Sequence, residues 1–435
     1  MLNDLPRMIV IEPAAEQTKH RAAGIFARKE KPSDLAVLKK RLQVIRREAR
    51  DNHAALLALL KSSLSRYGNI KVTTAGDAQE AVAHIQDVAA GINILSLNKS
   101  NVVVNELRPE LERAGFVSYL RYYHEFQNFE EGTFQKQVQD YWSLPGLHRR
   151  GLVESFEAQQ TIPPGKSRAA RNYLAILGVN AISAADGAVF FLQHMSNISK
   201  DLEQAKKVFL IVSMEKILKN REEALVHTQC MGVFGLESIL LDLMPREVEN
   251  FDFESLPILK DNPDLELHVI IFDNGRSRLL ETVYNDLFLC IDCRACARQC
   301  PIGQHLVMDP HLVYSPKNFL LGFLQGWLPS VEACLHCGKC SIECPVDIDI
   351  PSLIWKAQFE DYAKHTRSLK KRMLDDPELL ARLGSLAAPL SNWLTTLSVT
   401  KLFMQLFTGV HRKSHLPTFH RITFKRWFKG RRRGQ

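Results

Sequence analysis

Eight of the nine cysteines in this 435-residue chain stand in two short segments with the same spacing. The first segment reads CIDCRACARQCP from residue 290, and the second reads CLHCGKCSIECP from residue 334. Both follow the pattern C-x2-C-x2-C-x3-C-P. Three cysteines separated by two residues each can wrap a short loop around one metal centre, so each segment is predicted to be a metal-binding loop.

This pattern is typical of domains that bind two [4Fe–4S] clusters. In such domains three closely spaced thiolates surround one cluster, and the fourth, before the proline, is directed towards the other. We therefore expect two [4Fe–4S] clusters with crossed ligands. The predicted ligands are Cys290, Cys293, Cys296 and Cys344 for cluster 1, and Cys334, Cys337, Cys340 and Cys300 for cluster 2.

Zinc is the alternative metal, because C-x2-C pairs also bind zinc. Zinc sites usually close with four ligands from two separated pairs, and each segment here has a third closely spaced cysteine beyond such a pair. Iron–sulfur clusters are therefore the favoured interpretation. His336 and Lys339 lie inside the second motif, where they either influence its cluster or are solvated loop residues. The ninth cysteine, Cys230, is predicted to be a buried thiol.

Composition limits the remaining possibilities. The chain is 46% hydrophobic and 24% charged, as is usual for globular proteins. It has no apparent signal peptide and no apolar run long enough to span a membrane, so we expect a cytoplasmic protein. The net charge of +8 comes from the C-terminal end, since residues 379–435 contain eleven Lys and Arg and no Asp or Glu. A general nucleic-acid-binding surface is therefore not predicted.

Hydrophobic patterning divides the chain into four predicted regions. These are an N-terminal helical region at 1–68, an α/β domain at 69–280, an α-helical ferredoxin domain with two [4Fe–4S] clusters at 281–378, and an amphipathic helix with a basic tail at 379–435. In the α/β region, IKVTTA, INILSLN and FVSYLRYY are predicted strands separated by helices, an order that implies a parallel sheet. GAVFFLQ, KVFLIVS and LELHVIIFD are further predicted strands. PPGKS, at residues 163–167, lacks the first glycine of a P-loop, so a nucleotide site is not predicted there. No Gly-x-Gly-x-x-Gly motif follows a strand, so a Rossmann-type dinucleotide site is not predicted either.

Segments outside the cysteine motifs resemble the lactate-utilisation iron–sulfur proteins, specifically the B-type subunit with a LUD domain. NKSNVVVNELRPELERAG is similar to that family's Lys-Ser-Met-x-x-x-Glu segment at Lys99, Ser100 and Glu106. LGVNAISAADGAVFF resembles its Gly-x-Asn…Glu-Thr-Gly-Thr segment, and HVIIFDNGRSRLL its Asp-Asn-Gly-Arg turn. The similarity extends over roughly residues 30–430. One departure is clear, because Ala185-Asp186-Gly187-Ala188 stands where the family has Glu-Thr-Gly-Thr.

The resemblance implies a fold, a role and partners. The expected fold is a LUD-type parallel-sheet domain similar to the ribose-phosphate isomerase and CoA-transferase group, followed by the α-helical ferredoxin module. The implied role is a subunit that passes electrons from lactate oxidation towards the respiratory chain, rather than an independent catalyst. The implied partners are a cysteine-rich CCG-domain subunit and a small LUD-only subunit. The alternative is an adaptor that connects another dehydrogenase or a heterodisulfide-reductase-like partner to a quinone or ferredoxin pool.

Two features allow more than one interpretation. Asp273-Asn274-Gly275-Arg276 either forms a tight turn or contributes Arg276, together with Lys99, to an anion site for a carboxylate. No catalytic residue is identified. The apolar stripe from Leu386 to Phe407 and the basic tail behind it either close the ferredoxin module, dock on a partner, or contact the membrane surface as a peripheral site.

Overall fold

The structure is a computed structural model that describes residues 7–12, 19–21, 32–68, 70–120, 173–193, 198, 201–202, 205–235, 252–257, 265–297, 300–305, 313–365 and 376–432. The chain forms two compact units, Met1–Ala357 and Gln358–Gln435. The segment PPGKS lies outside the described residues. Among the helices in the described ranges, none is both long and apolar enough to cross a membrane.

The described strands belong to two sheets. In chain order they are β1 (Arg7–Glu12), β2 (Lys19–Arg21), β3 (Ile70–Ala75), β4 (Ile94–Leu97), β5 (Val117–Leu120), β6 (Leu174–Gly178), β7 (Ala181–Ser183), β8 (Val189–Gln193), β9 (Lys207–Ser213), β10 (Ile217–Leu218), β11 (Asp252–Pro257) and β12 (Glu266–Phe272). One six-stranded sheet has the order β3-β12-β9-β6-β4-β5, and the other has the order β10-β7-β8-β1-β11-β2.

Every neighbouring pair in the first sheet is parallel. The predicted α/β class is therefore confirmed. Side chains of β12 alternate between two apolar cores, with Val269 and Ile271 in one core and Ile270 in the other. A strand that is apolar on both faces must be covered on both faces, and this explains its nearly continuous hydrophobic run. All strands of this sheet end at the same edge, because they are parallel.

The second sheet mixes parallel and antiparallel pairs, and it differs from the sequence-based expectation in two respects. First, β8 pairs antiparallel with β7 and β1, so the predicted strand GAVFFLQ does not join the parallel sheet. Second, β1 and β2 fall in the region 1–68 that was predicted to be helical. β2 has only three residues and so gives little hydrophobic alternation, and both β1 and β2 pair with β11, a strand that is distant in sequence.

The described α-helices are α1 (Pro32–Asp51), α2 (His53–Leu64), α3 (Ala78–Ala89), α4 (Arg108–Arg113), α5 (Arg221–Phe234), α6 (Arg276–Leu280), α7 (Pro301–His305), α8 (Pro316–Leu324), α9 (Lys339–Glu343), α10 (Ile350–Lys364), α11 (Pro377–Leu386), α12 (Leu390–Thr396), α13 (Ser398–Thr408) and α14 (Phe424–Arg432). A π-helix, Val102–Leu107, precedes α4. Short 3-10 helices lie at Met214–Lys216, Asn285–Leu289 and Ala295–Ala297.

Local capping explains where several of these helices begin. Asp77 caps α3, because its carboxylate accepts a hydrogen bond from the backbone N–H of Glu80 at 2.9 Å. Ser315 caps α8 in the same way, accepting from the Asn318 N–H at 3.1 Å, and Pro316 takes the first helical position.

The C-terminal unit exposes an unusual amount of apolar surface. The predicted stripe is divided among three helices: Leu386 is the last residue of α11, and the remainder lies on α12 and α13, which meet at Leu397. Exposed large apolar side chains on α11 to α14 include Leu383, Leu386, Leu390, Trp393, Phe403, Leu406, Phe407, Phe424 and Trp427. Basic side chains of the tail, such as Arg426 and Lys429, are also exposed.

Candidate metal centre

The structure brings the eight motif cysteines together in two groups, and each group takes members from both motifs. All eight are free thiols. The thiol of Cys296 interacts electrostatically with those of Cys290, Cys293 and Cys344, and less strongly with that of Cys340; we call Cys290, Cys293, Cys296 and Cys344 the first thiol group. The thiol of Cys340 interacts with those of Cys300, Cys334 and Cys337, which together form the second thiol group.

A small, mostly apolar cavity lies among the four cysteines of the second thiol group. Tyr314 and Phe319 line it as well, and the Tyr314 hydroxyl lies 3.0 Å from Cys300 Sγ. Four soft sulfur donors around an apolar space fit an iron–sulfur cluster. In the described ranges, no group of three or more His, Cys, Asp or Glu side chains is arranged to hold a single metal ion.

The backbone repeats itself in the two motifs. Asp292 and Arg294 have φ values of 59° and 60°, and the corresponding residues of the second motif, His336 and Gly338, have 50° and 77°. Left-handed residues turn the chain sharply around the second cysteine of each motif, although this conformation is unfavourable for side chains other than glycine. The two loops are therefore structural repeats as well as sequence repeats.

Burial favours the protonated form of several of these thiols by raising their pKa values. It raises the pKa of Cys290 to about 12, and it raises the pKa of Cys340 to about 12 as well. The pKa values of Cys293, Cys296 and Cys344 are also raised, mainly by burial. Since iron binds the thiolate form, assembly of a cluster releases these protons.

Two buried lysines clamp the first cysteine loop through Asp292. Lys216 Nζ lies 2.9 Å from one Asp292 carboxylate oxygen, and Lys317 Nζ lies 3.0 Å from the other. Lys216 also donates to the Ile291 carbonyl at 3.0 Å. Burial raises the pKa of Asp292, but the two lysines outweigh it, so the net pKa lies well below the ordinary value. The Lys317 ammonium also interacts with the Cys290 thiol and with the buried Glu215 carboxylate, so it places a positive charge beside Cys290.

This positive charge yields a prediction about the first thiol group. Replacing Lys317 with methionine (Lys317→Met) should lower the reduction potential of the cluster bound there by tens of millivolts. A unit charge within about 10 Å contributes on the order of 1–2 kcal/mol at an effective dielectric constant of about 20, and its loss disfavours the extra electron. A redox titration followed by electron paramagnetic resonance measures the shift. The exposed Lys356 provides the control, Lys356→Met, and equal potentials in the two variants would contradict the prediction.

Arg46 attaches the N-terminal helix α1 to the chain just before the first motif. Its Nε donates to the Leu289 carbonyl at 3.1 Å, and its Nη2 donates to the Phe288 carbonyl at 2.6 Å. The side chain is fully buried, and this burial lowers the pKa of Arg46 to about 10. Helix α1 is therefore fixed directly to the start of the cysteine loop.

The Asp-Asn-Gly-Arg turn forms a buried hub at the end of β12. Two Arg276 nitrogens lie 2.6 and 2.9 Å from the Glu106 carboxylate oxygens, and its Nε lies 2.7 Å from Glu215. Asn274, at φ 47°, also donates to Glu106, at 2.6 Å. The hub therefore joins two of the segments that carried the family resemblance.

This hub changes the expectation of an anion site made by Lys99 and Arg276. Arg276 is 3% exposed, and carboxylates of the protein occupy its guanidinium on both sides. Lys99 lines a separate cavity to which Arg276 does not contribute. The tight-turn interpretation accounts for Arg276, and only Lys99 remains a candidate for binding a ligand.

The other segments of the resemblance meet at the carboxyl ends of β4 and β6. The Asn98 side chain exchanges two hydrogen bonds of 2.9 Å with the backbone of Gly178. A Cβ on Gly178 would lie 2.1 Å from Ser100 Oγ, so glycine is needed there for the two strand ends to approach. Asp186, in the altered Ala-Asp-Gly-Ala segment, is ion-paired with Arg221.

Other residues singled out from the sequence have ordinary surroundings. Cys230 is fully buried in the apolar core, as predicted. His336 packs edge-on against Trp355, with ring centroids 4.7 Å apart. Sequence reasoning missed Arg46, Lys216 and Lys317, because an isolated basic residue gives no signal that it will be buried beside a loop distant in sequence.

Comparisons with known proteins agree with the cysteine pattern and the resemblance. Residues 286–348 match the 4Fe-4S dicluster domain. Lactate utilization protein B of Lysinibacillus sphaericus is 25% identical over 438 residues, covering 90% of this chain and 87% of that protein. Lactate utilization protein B of Bacillus cytotoxicus is 24% identical with the same coverage, and Lactate utilization protein B 1 of Bacillus mycoides is 25% identical over 72% of this chain and 68% of that protein.

No solved structure matches the chain. Its sequence relatives and its dicluster domain nevertheless lead to one conclusion. The chain is an iron–sulfur protein that resembles Lactate utilization protein B over nine tenths of its length.

Proposed function

We propose that this chain is the electron-transfer subunit of a lactate, or 2-hydroxyacid, oxidation system. The observation that carries the proposal is the pair of four-thiol groups, each drawn from both motifs, inside the 4Fe-4S dicluster domain. When bound, [4Fe–4S] clusters accept and donate single electrons. The proposed ligands are those of the two groups: Cys290, Cys293, Cys296 and Cys344 for one cluster, and Cys300, Cys334, Cys337 and Cys340 for the other.

The two thiol groups differ in their access to solvent. Each group has one buried cysteine, Cys344 in the first and Cys340 in the second, but only the second has an exposed one, Cys337. Leu335 and Ile342, in the same motif as Cys337, are 68% and 79% exposed. Electron transfer between proteins requires a short path, so the second group is the proposed exit towards a partner subunit.

The proposed partners are a cysteine-rich CCG-domain subunit and a small LUD-only subunit, with electrons passing towards the respiratory chain. Support for the lactate role comes from the relatives named Lactate utilization protein B. Exposed apolar side chains on α11 to α14, with basic residues beside them, suit either a partner subunit or an anionic membrane surface. We propose that the protein works in the cytoplasm, attached to such a surface rather than inserted in it.

A second candidate function is an electron-transfer adaptor for a different dehydrogenase. Two observations favour it. Asp186 is ion-paired with Arg221, and Arg276 is held between Glu106 and Glu215. Polar groups of the segments that resemble the lactate-utilisation family are thus engaged within the protein, as in a domain that serves as a scaffold.

Anaerobic purification with the partner subunits tests the proposal. We expect about eight iron and eight sulfide per chain, as two [4Fe–4S] clusters require, and reduction of the clusters by L-lactate. NADH is the control donor, and D-lactate tests the stereochemistry. Zinc in place of iron, or iron for one cluster alone, would refute the cluster assignment. Reduction by NADH and not by either lactate would favour the adaptor.

A further inference from the structure

The cavity among the thiols of the second group contains a buried hydroxyl group, that of Tyr314. The side chain is 6% exposed, and its Oη lies 3.0 Å from Cys300 Sγ. Among the described lining residues other than the cysteines, only Tyr314 and Lys339 have side chains with O–H or N–H groups, and Lys339 is exposed. Tyr314 is therefore the one buried side-chain donor, apart from the thiols, that this described lining offers to a cluster.

Hydrogen bonds and packing hold Tyr314 in this position. The Asn105 side chain binds the backbone of the preceding residue, Val313, accepting from its N–H at 2.7 Å and donating to its carbonyl at 2.9 Å. The Tyr314 carbonyl accepts from Arg294 Nε at 3.3 Å. Gly303 leaves space for the ring, because a Cβ there would lie 2.5 Å from Tyr314 Cε1. Both the backbone and the ring of Tyr314 are thus constrained.

A bound cluster fixes the direction of the hydrogen bond between Tyr314 and Cys300. In the metal-free chain either atom can be the donor. A cysteine that binds iron is a thiolate and has no proton to donate. A tyrosine hydroxyl has an ordinary pKa of about 10 and keeps its proton at neutral pH. In the cluster-loaded chain, therefore, Tyr314 donates and Cys300 accepts.

Such a hydrogen bond affects the reduction potential of the cluster. Hydrogen bonds to the ligand sulfurs are one of the factors that set the potential of iron–sulfur clusters. The sulfur becomes more negative when the cluster accepts an electron, so the bond from Tyr314 is stronger in the reduced form than in the oxidised form. The cavity is mostly apolar, and a low local dielectric constant strengthens the bond further. The hydroxyl group therefore favours reduction.

The first thiol group receives its hydrogen bonds from the backbone. The Asp292 N–H donates to Cys290 Sγ at 3.3 Å, and the Ile348 N–H donates to Cys344 Sγ at 3.4 Å. A substitution leaves such backbone donors in place. The donor from Tyr314, by contrast, belongs to a side chain, so its contribution can be removed while the backbone stays the same.

We propose that Tyr314 raises the reduction potential of the cluster bound by Cys300, by donating a hydrogen bond to the Cys300 thiolate. Tyr314 does not bind iron and acts through Cys300, so it is a positioning residue and not a catalytic one. The proposal rests on the electron-transfer function proposed above and deepens it. The second thiol group is the proposed exit, and its potential governs how readily the exit cluster takes up and passes on an electron.

Tyr314→Phe tests this role, because it removes the hydroxyl and keeps the ring. In the cluster-loaded, full-length chain the equilibrium constant for reduction of the second cluster should fall about tenfold, which corresponds to about 59 mV for one electron. A redox titration followed by electron paramagnetic resonance measures it, and the second cluster is identified by the signal that Cys300→Ala lacks. An unchanged potential of this cluster in Tyr314→Phe would overturn the proposal.

Two controls accompany this titration. The first cluster serves as an internal reference and should shift less than the second, because Tyr314 interacts less strongly with Cys296 than with Cys300. Tyr67→Phe is the matched variant, since it also removes a hydroxyl, one that donates to the Asp186 carbonyl at 3.2 Å. Both potentials in Tyr67→Phe should equal those of the unaltered chain. Equal shifts in Tyr67→Phe and Tyr314→Phe would refute the role of Tyr314.

A second replacement distinguishes hydrogen bonding from packing and keeps the test decisive if Tyr314→Phe loses iron. Site-specific incorporation of 3-fluorotyrosine at position 314 gives a more acidic hydroxyl, and hence a stronger donor, on a ring of nearly the same size. The potential of the second cluster should then rise above that of the unaltered chain. A lower or unchanged potential would contradict a hydrogen bond from this hydroxyl.

Iron analysis and reduction by lactate in the same preparations separate this proposal from the electron-transfer function. Two clusters with unshifted potentials in both Tyr314 variants would remove the role of Tyr314 and leave electron transfer intact. Shifted potentials in a chain whose clusters no lactate enantiomer reduces would support Tyr314 and count against the lactate role. An unaltered chain without iron would overturn both.

Discussion

Replacing Cys300 with alanine (Cys300→Ala) is expected to remove about four of the eight iron atoms per chain, because alanine supplies no ligand to the cluster. Although Cys300 belongs to the first motif, its thiol interacts with those of Cys334 and Cys340 in the second thiol group. The lost cluster should therefore be the one bound by the second motif. Iron and sulfide analysis after anaerobic purification measures the loss.

Double variants distinguish crossed from uncrossed ligands. With crossed ligands, Cys300→Ala combined with Cys334→Ala should lose no more iron than either single variant, because both residues serve one cluster. Cys300→Ala combined with Cys290→Ala should lose nearly all iron. If the Cys300→Ala and Cys334→Ala pair instead lost nearly all iron, and the Cys300→Ala and Cys290→Ala pair lost only as much as a single variant, each motif would hold its own cluster. Cys230→Ala, in the apolar core, is the control and should retain the full iron content.

Among the single substitutions outside the cysteines, Arg276→Met should destabilise the protein most. In Arg276→Met, Glu106 and Glu215 lose a shared buried cation, and breaking a buried ion pair on one side typically costs about 3–5 kcal/mol. Side-chain exposures of 4%, 1% and 3% for Arg276, Glu106 and Glu215 leave little access for water to compensate. Urea unfolding of the cluster-loaded chain, followed by circular dichroism, gives the change in stability. Arg278→Met, at an exposed position two residues away, should change it by less than about 0.5 kcal/mol.

The destabilisation in Arg276→Met should depend on pH. In the unaltered protein burial raises the pKa of Glu215, but Arg276 outweighs it, so the net pKa is lowered. A carboxyl group of this kind contributes stability above its unfolded pKa and loses it as pH falls through the folded pKa. Without Arg276, burial dominates and the pKa should rise, so the folded variant gains a proton in mildly acidic solution. The stability difference should be largest near about pH 7 and smaller near about pH 5; a difference independent of pH would contradict this explanation.

Sequence patterns identified most of the parallel sheet but not its full membership. IKVTTA, KVFLIVS and LELHVIIFD have the long apolar runs that buried strands require, and all three were found. The strand Leu174–Gly178, which lies between β9 and β4 in the sheet, was not predicted. GAVFFLQ has the same composition but pairs in the other sheet, because the pairing of a strand is decided by its neighbours in space.

The role of Arg276 could not be read from its own segment. Asp-Asn-Gly-Arg after a buried strand is compatible with a tight turn and with a ligand site, and the two differ only in what surrounds the guanidinium. Two carboxylates surround the guanidinium in the folded chain. One belongs to Glu106, 170 positions earlier, and the other to Glu215, just after strand β9. Burial and pairing of a charged side chain depend on the tertiary structure, so they cannot be deduced from the local sequence.

Iron–sulfur clusters could be predicted from the cysteine motifs alone, because the ligand spacing of each motif is local and a cluster requires those thiols in that order. The sequence also determined the α/β class through the alternation of apolar runs and amphipathic helices. The folded chain is needed to see that Lys216 and Lys317 place positive charge beside Cys290, and that Lys99 and Cys293 line one cavity. These features join strand ends and loops that are far apart along the chain, and they exist only once the parallel sheet has brought its carboxyl ends to one edge.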